Sequence, residues 1–174
     1  MIGQEFSKAL LGVYNGEQFG EAFFNRLLPT AENQMQNYIL GSLLQLETEG
    51  KLVMRPLMLK FGLPLVDNEN AIAEGESAAQ AMMNLSWTDK FVAIVSIISE
   101  HGLPQYEALA GMVSAEIEKD AYVLALFMGE HERIILAAAE NMVAGKKDPM
   151  SPLAKFLKFP LVAPHQPLRK LRIT

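Results

Sequence analysis

The chain contains no cysteine among its 174 residues. This absence excludes disulfide bridges, zinc sites built from thiolates, iron–sulfur clusters and a cysteine nucleophile. Three familiar motifs are missing as well: a glycine-rich phosphate loop, a Gly-x-Ser-x-Gly nucleophile turn and a His-Glu-x-x-His zinc helix. The sequence therefore offers none of the common signatures of nucleotide binding, serine hydrolysis or zinc-dependent proteolysis.

Positive charge is also scarce. The chain has 15 Lys and Arg against 20 Asp and Glu, which gives a net charge of −5, whereas nucleic-acid-binding proteins need a basic surface. No run of about 18 apolar residues is present, and residues 1–5 lack the basic-then-apolar order of a signal peptide. We expect a cytoplasmic protein that binds neither nucleic acid nor a membrane.

Half of the residues are apolar and a fifth are charged, which is typical of a globular domain with a core. We predict one domain over residues 1–174. Ser86, followed by Asp89, predicts a helix that begins at Trp87, and glycine or proline marks the other breaks. The breaks predict an all-α fold of two helix hairpins, about 4–62 and 86–144, with a long crossover at 63–85 and a C-terminal extension at 145–174.

Two glutamates interrupt apolar stripes in the first hairpin. The inward positions of the second helix follow the spacing of a helix seam, and among them only Glu47 is charged. Glu17 interrupts the stripe of the first helix in the same way. A lone buried carboxylate is costly unless a metal ion, a cationic partner or a proton compensates it.

The second hairpin repeats the pattern. Glu100 follows Glu17 by 83 residues, and Glu130 follows Glu47 by the same 83 residues, which indicates a duplication. Within each hairpin the two glutamates are equally distant from the turn, so antiparallel helices would place them at the same height. We expect four carboxylates near one level of the core.

This pattern resembles the ferritin-like superfamily, which includes ferritins and rubrerythrins, over about residues 6–143. In that superfamily two helices each supply one Glu, and the other two each supply a Glu-x-x-His motif. The resemblance implies an antiparallel four-helix bundle that binds iron or manganese and acts as a dimetal oxidoreductase on oxygen or a peroxide. The implied metal ligands are Glu17, Glu47, Glu100 and Glu130.

The chain departs from the superfamily at both motif histidines. Gly50 and Arg133 stand at the two positions. In the enzyme, oxygen or a peroxide would react in a pocket that Gly50 leaves open beside Glu47. The missing histidines favour a protein that has lost the metal, whereas four acids at matching heights favour the enzyme. Two alternatives remain open: the glutamates are acids of a plain scaffold, or Arg133 replaces the metal charge by pairing with Glu17, Glu47 or Glu100. In the last case the protein binds no metal and is a structural or interaction protein, so enzyme activity is undecided by the sequence.

Three further residues are secondary ligand candidates. His101 follows Glu100 directly, and the break near Gly102 would re-aim it. His131 follows Glu130 directly, and neighbours on a straight helix differ in direction by about 100°, so we expect His131 to be a polar neighbour. Glu107 lies two turns beyond Glu100 along the same face and is a candidate to replace it.

The partners are predicted from surface features. The apolar stretches at 123–128 and 134–138 exceed what one buried face needs, which indicates a homodimer. The basic stretch at 169–172 is interpreted as a solvated terminus, an intrachain partner of the acidic crossover or an intersubunit contact. A small-molecule substrate and an electron donor are expected for the enzyme, and no motif identifies either.

Overall fold

The computed structural model describes residues 3–166, and within this range it contains helices and no strand. The predicted all-α fold is confirmed, and the arrangement is compatible with a helical bundle. In the described range, no helix combines the length and the apolar character that crossing a bilayer requires. The elements are α1 (Gln4–Leu27), a 3-10 turn (Leu28–Thr30), α2 (Gln34–Lys60), α3 (Glu69–Met82), α4 (Trp87–Ile97), a π-helical turn (Ile98–Gly102), α5 (Leu103–Gly111), α6 (Lys119–Val143) and α7 (Ser151–Phe156).

Side-chain caps explain where two of the long segments begin. The Asn33 side chain accepts a hydrogen bond from the Gln36 backbone N–H at 3.0 Å, at the start of α2. The Ser86 hydroxyl accepts the Asp89 backbone N–H at 3.1 Å, which confirms the predicted helix start at Trp87. Each cap satisfies a backbone donor that the first helical turn leaves unpaired.

The long helices run side by side in antiparallel pairs. Phe6, near the start of α1, packs edge-on against Phe61, just after the end of α2, with ring centroids 6.4 Å apart. Lys60, at the end of α2, donates a hydrogen bond to Glu118, just before α6, at 2.7 Å. In addition, α5 lies against α1, and α4 and α5 both pack on α6. The two hairpins therefore face each other across a shared core.

The crossover at 63–85 contains a helix of its own. α3 lies along α1, and the Gln18 side chain ties the start of the crossover to α1. Its carbonyl oxygen accepts the Asn68 backbone N–H at 2.5 Å, and its amide group donates to the Val66 carbonyl at 3.3 Å. The crossover is thus packed against the bundle, and α3 adds a further helix to it.

The close approach of α3 to α1 depends on Gly75. A Cβ at this position would overlap the backbone carbonyl of Phe19, and a backbone carbonyl has no freedom to rotate away. We expect Gly75→Ala to lower the free energy of unfolding by about 1–3 kcal/mol, as overpacking does, in urea denaturation. In the control Gly111→Ala the added Cβ meets nothing within 4 Å, and we expect no loss. Equal stability of the two variants would contradict this account of the α1–α3 contact.

The hydrophobic core divides into two clusters, one on either side of a polar level. One cluster is built around residues such as Leu43 and Phe91, and the other around residues such as Leu10 and Met54. Glu17 follows Leu10 along α1 and Glu47 precedes Met54 along α2, so both acids lie where the clusters meet. Burying acids at this level costs free energy unless another group compensates them.

The C-terminal extension covers the outside of α2 and α6. α7 contacts both helices, and the Phe156 ring stacks on Phe127 with centroids 5.0 Å apart. The Glu49 carboxylate accepts the backbone N–H groups of Lys158 and Phe159 at 2.7 and 2.9 Å. The basic stretch at 169–172 lies outside the described residues.

Candidate functional site

Three buried side chains from three helices converge between the two core clusters. They are Glu17 of α1, Glu47 of α2 and His131 of α6. Each side chain offers one possible metal-ligating atom, and these three atoms lie within 4.8 Å of one another. Their exposed fractions are 0%, 4% and 1%. The heptad spacing of each helix seam explains why these side chains point inward rather than into solvent.

Hydrogen bonds orient the Glu17 carboxylate but satisfy only one of its oxygens. The Tyr106 hydroxyl, from α5, donates to Glu17 Oε1 at 2.7 Å. Glu17 Oε2 is buried without a hydrogen-bond partner among the described residues and lies 3.3 Å from His131 Nε2. His131 Nε2 also lies 3.2 Å from the Leu46 carbonyl oxygen. A buried oxygen without a partner is uncommon, and here it faces an imidazole nitrogen.

Glycines on the neighbouring helices make room for the carboxylates. A Cβ at Gly50 would overlap the Glu17 carboxylate, and a Cβ at Gly20 would overlap that of Glu47. Gly102, in the π-helical turn, gives the same space to Glu132 of α6. Each of these three buried acids therefore occupies a volume that a side chain would otherwise fill.

A cavity of about 420 Å³ opens beside this cluster. Its polar lining residues are Asn15, Glu47, Glu74, His101, Gln105, Tyr106 and Glu132. The rest of the lining is largely apolar and comes from α1, α4, the π-helical turn and α6. The apolar lining residues include Phe19, Phe23, Phe24, Ile94, Ile97, Ile98 and Ile135.

Burial shifts the pKa values at the site in a consistent direction. Desolvation raises the pKa of Glu17 well above its usual value, against the hydrogen bond from Tyr106. Desolvation, followed by repulsion from Glu17, raises the pKa of Glu47 in the same way. Burial raises the pKa of Glu132 to about 7 and lowers that of His131 to about 4. Without a cation, the site therefore favours neutral groups.

Two of the four glutamates predicted to meet at one level lie elsewhere. Glu100 is exposed and accepts a hydrogen bond from the Ser96 hydroxyl at 2.5 Å. Glu130 is exposed as well and pairs with Arg133 at 2.9 Å. The prediction that four glutamates share one level of the core is therefore wrong for Glu100 and Glu130, whereas Glu17 and Glu47 do meet.

The structure also corrects the predicted roles of Arg133 and the secondary candidates. Arg133 points outward, where it pairs with Glu107 at 2.8 Å and with Glu130. The alternative in which it neutralises the buried acids is wrong. Glu107 is exposed and does not replace Glu100. His101 lines the cavity but is exposed and lies outside the three-residue cluster, whereas His131, predicted to be a polar neighbour, lies inside it.

A shift of helix register explains these differences. Leu124, Met128, His131 and Ile135 are buried, and their spacing of four, three and four residues is that of a helix seam. This spacing identifies His131 rather than Glu130 as the inward residue. In the second hairpin, the π-helical turn Ile98–Gly102 lies between α4 and α5 and changes the direction of the side chains within it. Such turns are frequent at functional sites.

Two residues of the site, Tyr106 and Glu132, were not among the sequence candidates. Glu132 lies at seam spacing with the buried residues Ala125, Met128 and Ile135 of α6, and Gly102 leaves the space that its carboxyl group fills. Tyr106 reaches Glu17 across the interface of α1 and α5. The seam spacing of α6 is a local signal that could have identified Glu132, whereas the role of Tyr106 depends on α5 lying against α1.

Comparisons with known proteins leave the geometry as the guide to function. No family model matches the chain, and neither a curated protein nor a solved structure matches it. The ferritin-like resemblance therefore has no support from a relative. The case for a function rests on the cluster of Glu17, Glu47 and His131 and on the cavity beside it.

Proposed function

We propose that the protein is a metal-dependent oxidoreductase of ferritin-like architecture, with iron or manganese held by Glu17, Glu47 and His131. The observation that carries the proposal is the convergence of these three side chains, within 4.8 Å of one another, in the interior of the molecule. Two carboxylates and an imidazole form a mixed oxygen and nitrogen donor set, which suits iron and manganese. A pair of antiparallel hairpins with a long crossover supports the architecture.

The protonation states of the cluster fit metal binding. A histidine binds a metal as the neutral imidazole, and burial holds the pKa of His131 at about 4, so the ring is neutral at physiological pH. Glu17 Oε2 has no hydrogen-bond partner among the described residues. A divalent cation would supply the charge that these buried acids lack and would favour their ionised forms.

When bound, the metal would supply the redox chemistry, by electron exchange with oxygen or a peroxide. The residues around it hold the ligands in place. Tyr106 fixes Glu17 by donating to Oε1 and leaves Oε2 free. Gly50 allows α2 to approach Glu17 closely. These contacts act on the ligands rather than on the metal, and such supporting contacts normally affect metal affinity strongly.

Glu132 is the proposed proton carrier of the site. Its carboxyl group lines the cavity beside Glu47, and burial raises its pKa to about 7. A group with a pKa near the working pH is the most effective general acid or base. The apolar cavity walls would keep bulk water away from this carboxyl group.

The competing proposal is a metal-free bundle that acts as a structural or interaction protein. The raised pKa values of Glu17 and Glu47 favour it, because protonated acids need no cation. The predicted homodimer is compatible with both proposals. Much of the apolar stretch at 123–128 is used within the core, and Val123 and Leu126, 54% and 48% exposed, are what remains for a partner.

Elemental analysis of protein purified without chelator tests the proposed metal site. We expect about one iron or manganese per chain, as the three-ligand cluster implies, and loss of the metal in Glu47→Ala and His131→Ala. Glu130→Ala is the matched control for His131→Ala, because it lies one residue away on the same helix but points outward, and it should keep the metal. The absence of metal, even after anaerobic reconstitution with ferrous iron, would leave the metal-free bundle as the better proposal.

A further inference from the structure

The cavity beside the cluster has the size and shape of a small-molecule site. Its volume of about 420 Å³ lies within the range of about 300–1,000 Å³ that is usual for ligand pockets. Gly12, Gly16 and Gly20 follow one another at four-residue intervals along α1 and line it. These three positions add no side chain to the cavity, while Phe19 and Phe23 of the same helix, together with Ile94 and Ile97 of α4, line it.

The ionisable lining is mainly acidic. Glu47, Glu74 and Glu132 line the cavity together with His101, and none of its lining residues is a lysine or an arginine. Asn15 and Gln105 add uncharged polar groups. The lining thus offers carboxyl groups as acceptors and no lysine or arginine to pair with an anion, and a positively charged ligand would favour the ionised form of these acids, so the lining favours such a ligand over a carboxylate or a phosphate.

Glu132 is a buried carboxyl group of the cavity lining that lacks a hydrogen-bond donor in the part of the chain that the structure describes. Its exposed fraction is 7%, and it makes no hydrogen bond or ion pair within residues 3–166. A buried carboxylate without a donor is costly. An ammonium group offers three donors and a positive charge, and the resulting charge-assisted hydrogen bonds are about twice as strong as neutral ones.

We propose that this cavity binds a small organic amine, with its ammonium group on the Glu132 carboxylate and its apolar body between α1 and α4. Phe19, Phe23, Ile94 and Ile97 would contact the apolar body. Burial of that body supplies affinity in proportion to the apolar area removed from water. The carboxylate supplies the selectivity for an amine over an alcohol of the same shape.

The amine site goes beyond the proposed metal centre and does not depend on it, because Glu132 is not one of the three proposed metal ligands. A ligand in the cavity would lie against Glu47, so an amine bound here would be next to a metal held by Glu47. The cavity would then serve as the substrate site of the proposed oxidoreductase. In a metal-free bundle it would be a binding site only.

Titration calorimetry on the full chain tests the proposal. The probes are three six-carbon compounds: hexylamine, 1-hexanol and hexanoate. Each is titrated into the protein as purified and into the protein after chelation. We expect hexylamine to bind at least about tenfold more tightly than 1-hexanol, given the added charge-assisted hydrogen bonds, and hexanoate to bind most weakly. In Glu132→Gln the affinity for hexylamine should fall about tenfold, as expected for loss of one charged partner, while that for 1-hexanol should not change.

Two further variants distinguish binding in the cavity from binding at the protein surface. Glu130→Gln removes an exposed carboxylate two residues from Glu132 and should leave all three affinities unchanged. Ile97→Trp places an indole in the cavity and should weaken both hexylamine and 1-hexanol. Equal affinity for hexylamine and 1-hexanol, an unchanged hexylamine affinity in Glu132→Gln, or binding of none of the three probes would overturn the proposal. Metal content is measured separately, so either proposal can fail without the other.

Discussion

Raising the pH of the metal-free protein from about 5 to about 8 is expected to lower its free energy of unfolding, because buried acids must ionise in the folded state. The pKa of Glu132 rises from 4.5 to about 7 on burial. That difference corresponds to a loss of about 3 kcal/mol at about 1.4 kcal/mol per pKa unit. Glu17 and Glu47, whose pKa values are also raised by burial, act in the same direction.

The sign of this dependence follows from proton counting. A buried acid with a raised pKa keeps its proton in the folded state while the unfolded chain loses it, so stability falls as the pH rises through this range. His131 acts in the opposite direction, since its pKa of about 4 in the folded state lies below 6.5 and stability falls as the pH drops below 6.5. The contributions of Glu132 and His131 nearly cancel, which leaves Glu17 and Glu47 to set the net direction.

Urea denaturation of chelator-treated protein across this pH range measures the effect. Glu132→Gln should reduce the pH-dependent loss by about 3 kcal/mol, because the amide does not titrate. Glu130→Gln, at an exposed position on the same helix, should leave the profile unchanged. Bound iron or manganese should flatten the profile by stabilising the ionised carboxylates. Stability that rises with pH from about 6.5 upward would show that the acids are compensated in some other way.

Gly50→Ala is expected to reduce the metal content at least about tenfold, in line with other changes that disturb ligand placement. The added Cβ would overlap Glu17 Oε2 and lie 3.0 Å from His131 Nε2. The Glu17 carboxylate would have to leave the position in which Tyr106 holds it, and two of the three ligands would be displaced. Elemental analysis after reconstitution with ferrous iron gives the readout, with circular dichroism to show that the helices remain.

Gly129→Ala is the matched control for this substitution. Gly129 is a buried glycine of α6, two residues from His131, and a Cβ there meets its nearest neighbour at 3.6 Å, an ordinary contact. Since alanine favours a helix over glycine by about 1 kcal/mol, this variant should keep the metal and be at least as stable as the wild type. Wild-type metal content in Gly50→Ala would show that the space beside Glu17 is not needed for binding.

Local rules predicted the helices well because the physical causes of helix ends are local. The Ser86 cap and the start at Trp87 depend on residues within one turn. The seams of α1 and α2 gave the correct inward direction for Glu17 and Glu47, since both helices have a continuous apolar stripe that includes these acids. The ferritin-like architecture, the homodimer and the metal itself stay predictions.

The assumed repeat of 83 residues failed in the second half of the chain because it fixes sequence distance and not helix direction. One residue changes the direction of a side chain by about 100°, so the same offset can place Glu47 inside and Glu130 outside. The π-helical turn Ile98–Gly102 adds a further change of direction before α5. An error of one residue is enough to exchange a buried ligand candidate for a surface ion pair.

The sequence alone determines the helical class, the main break points and the inward direction of Glu17 and Glu47. Each of these depends on neighbours within one or two helical turns. The apolar seam of α6 also carries the inward direction of His131 and Glu132, but the groups that they meet are decided by packing. His131 and Glu132 join the site because α6 lies against α2 and Gly102, and Tyr106 reaches Glu17 because α5 lies against α1. These contacts join residues 85 and 89 positions apart in the chain, and no local pattern determines which helices become neighbours.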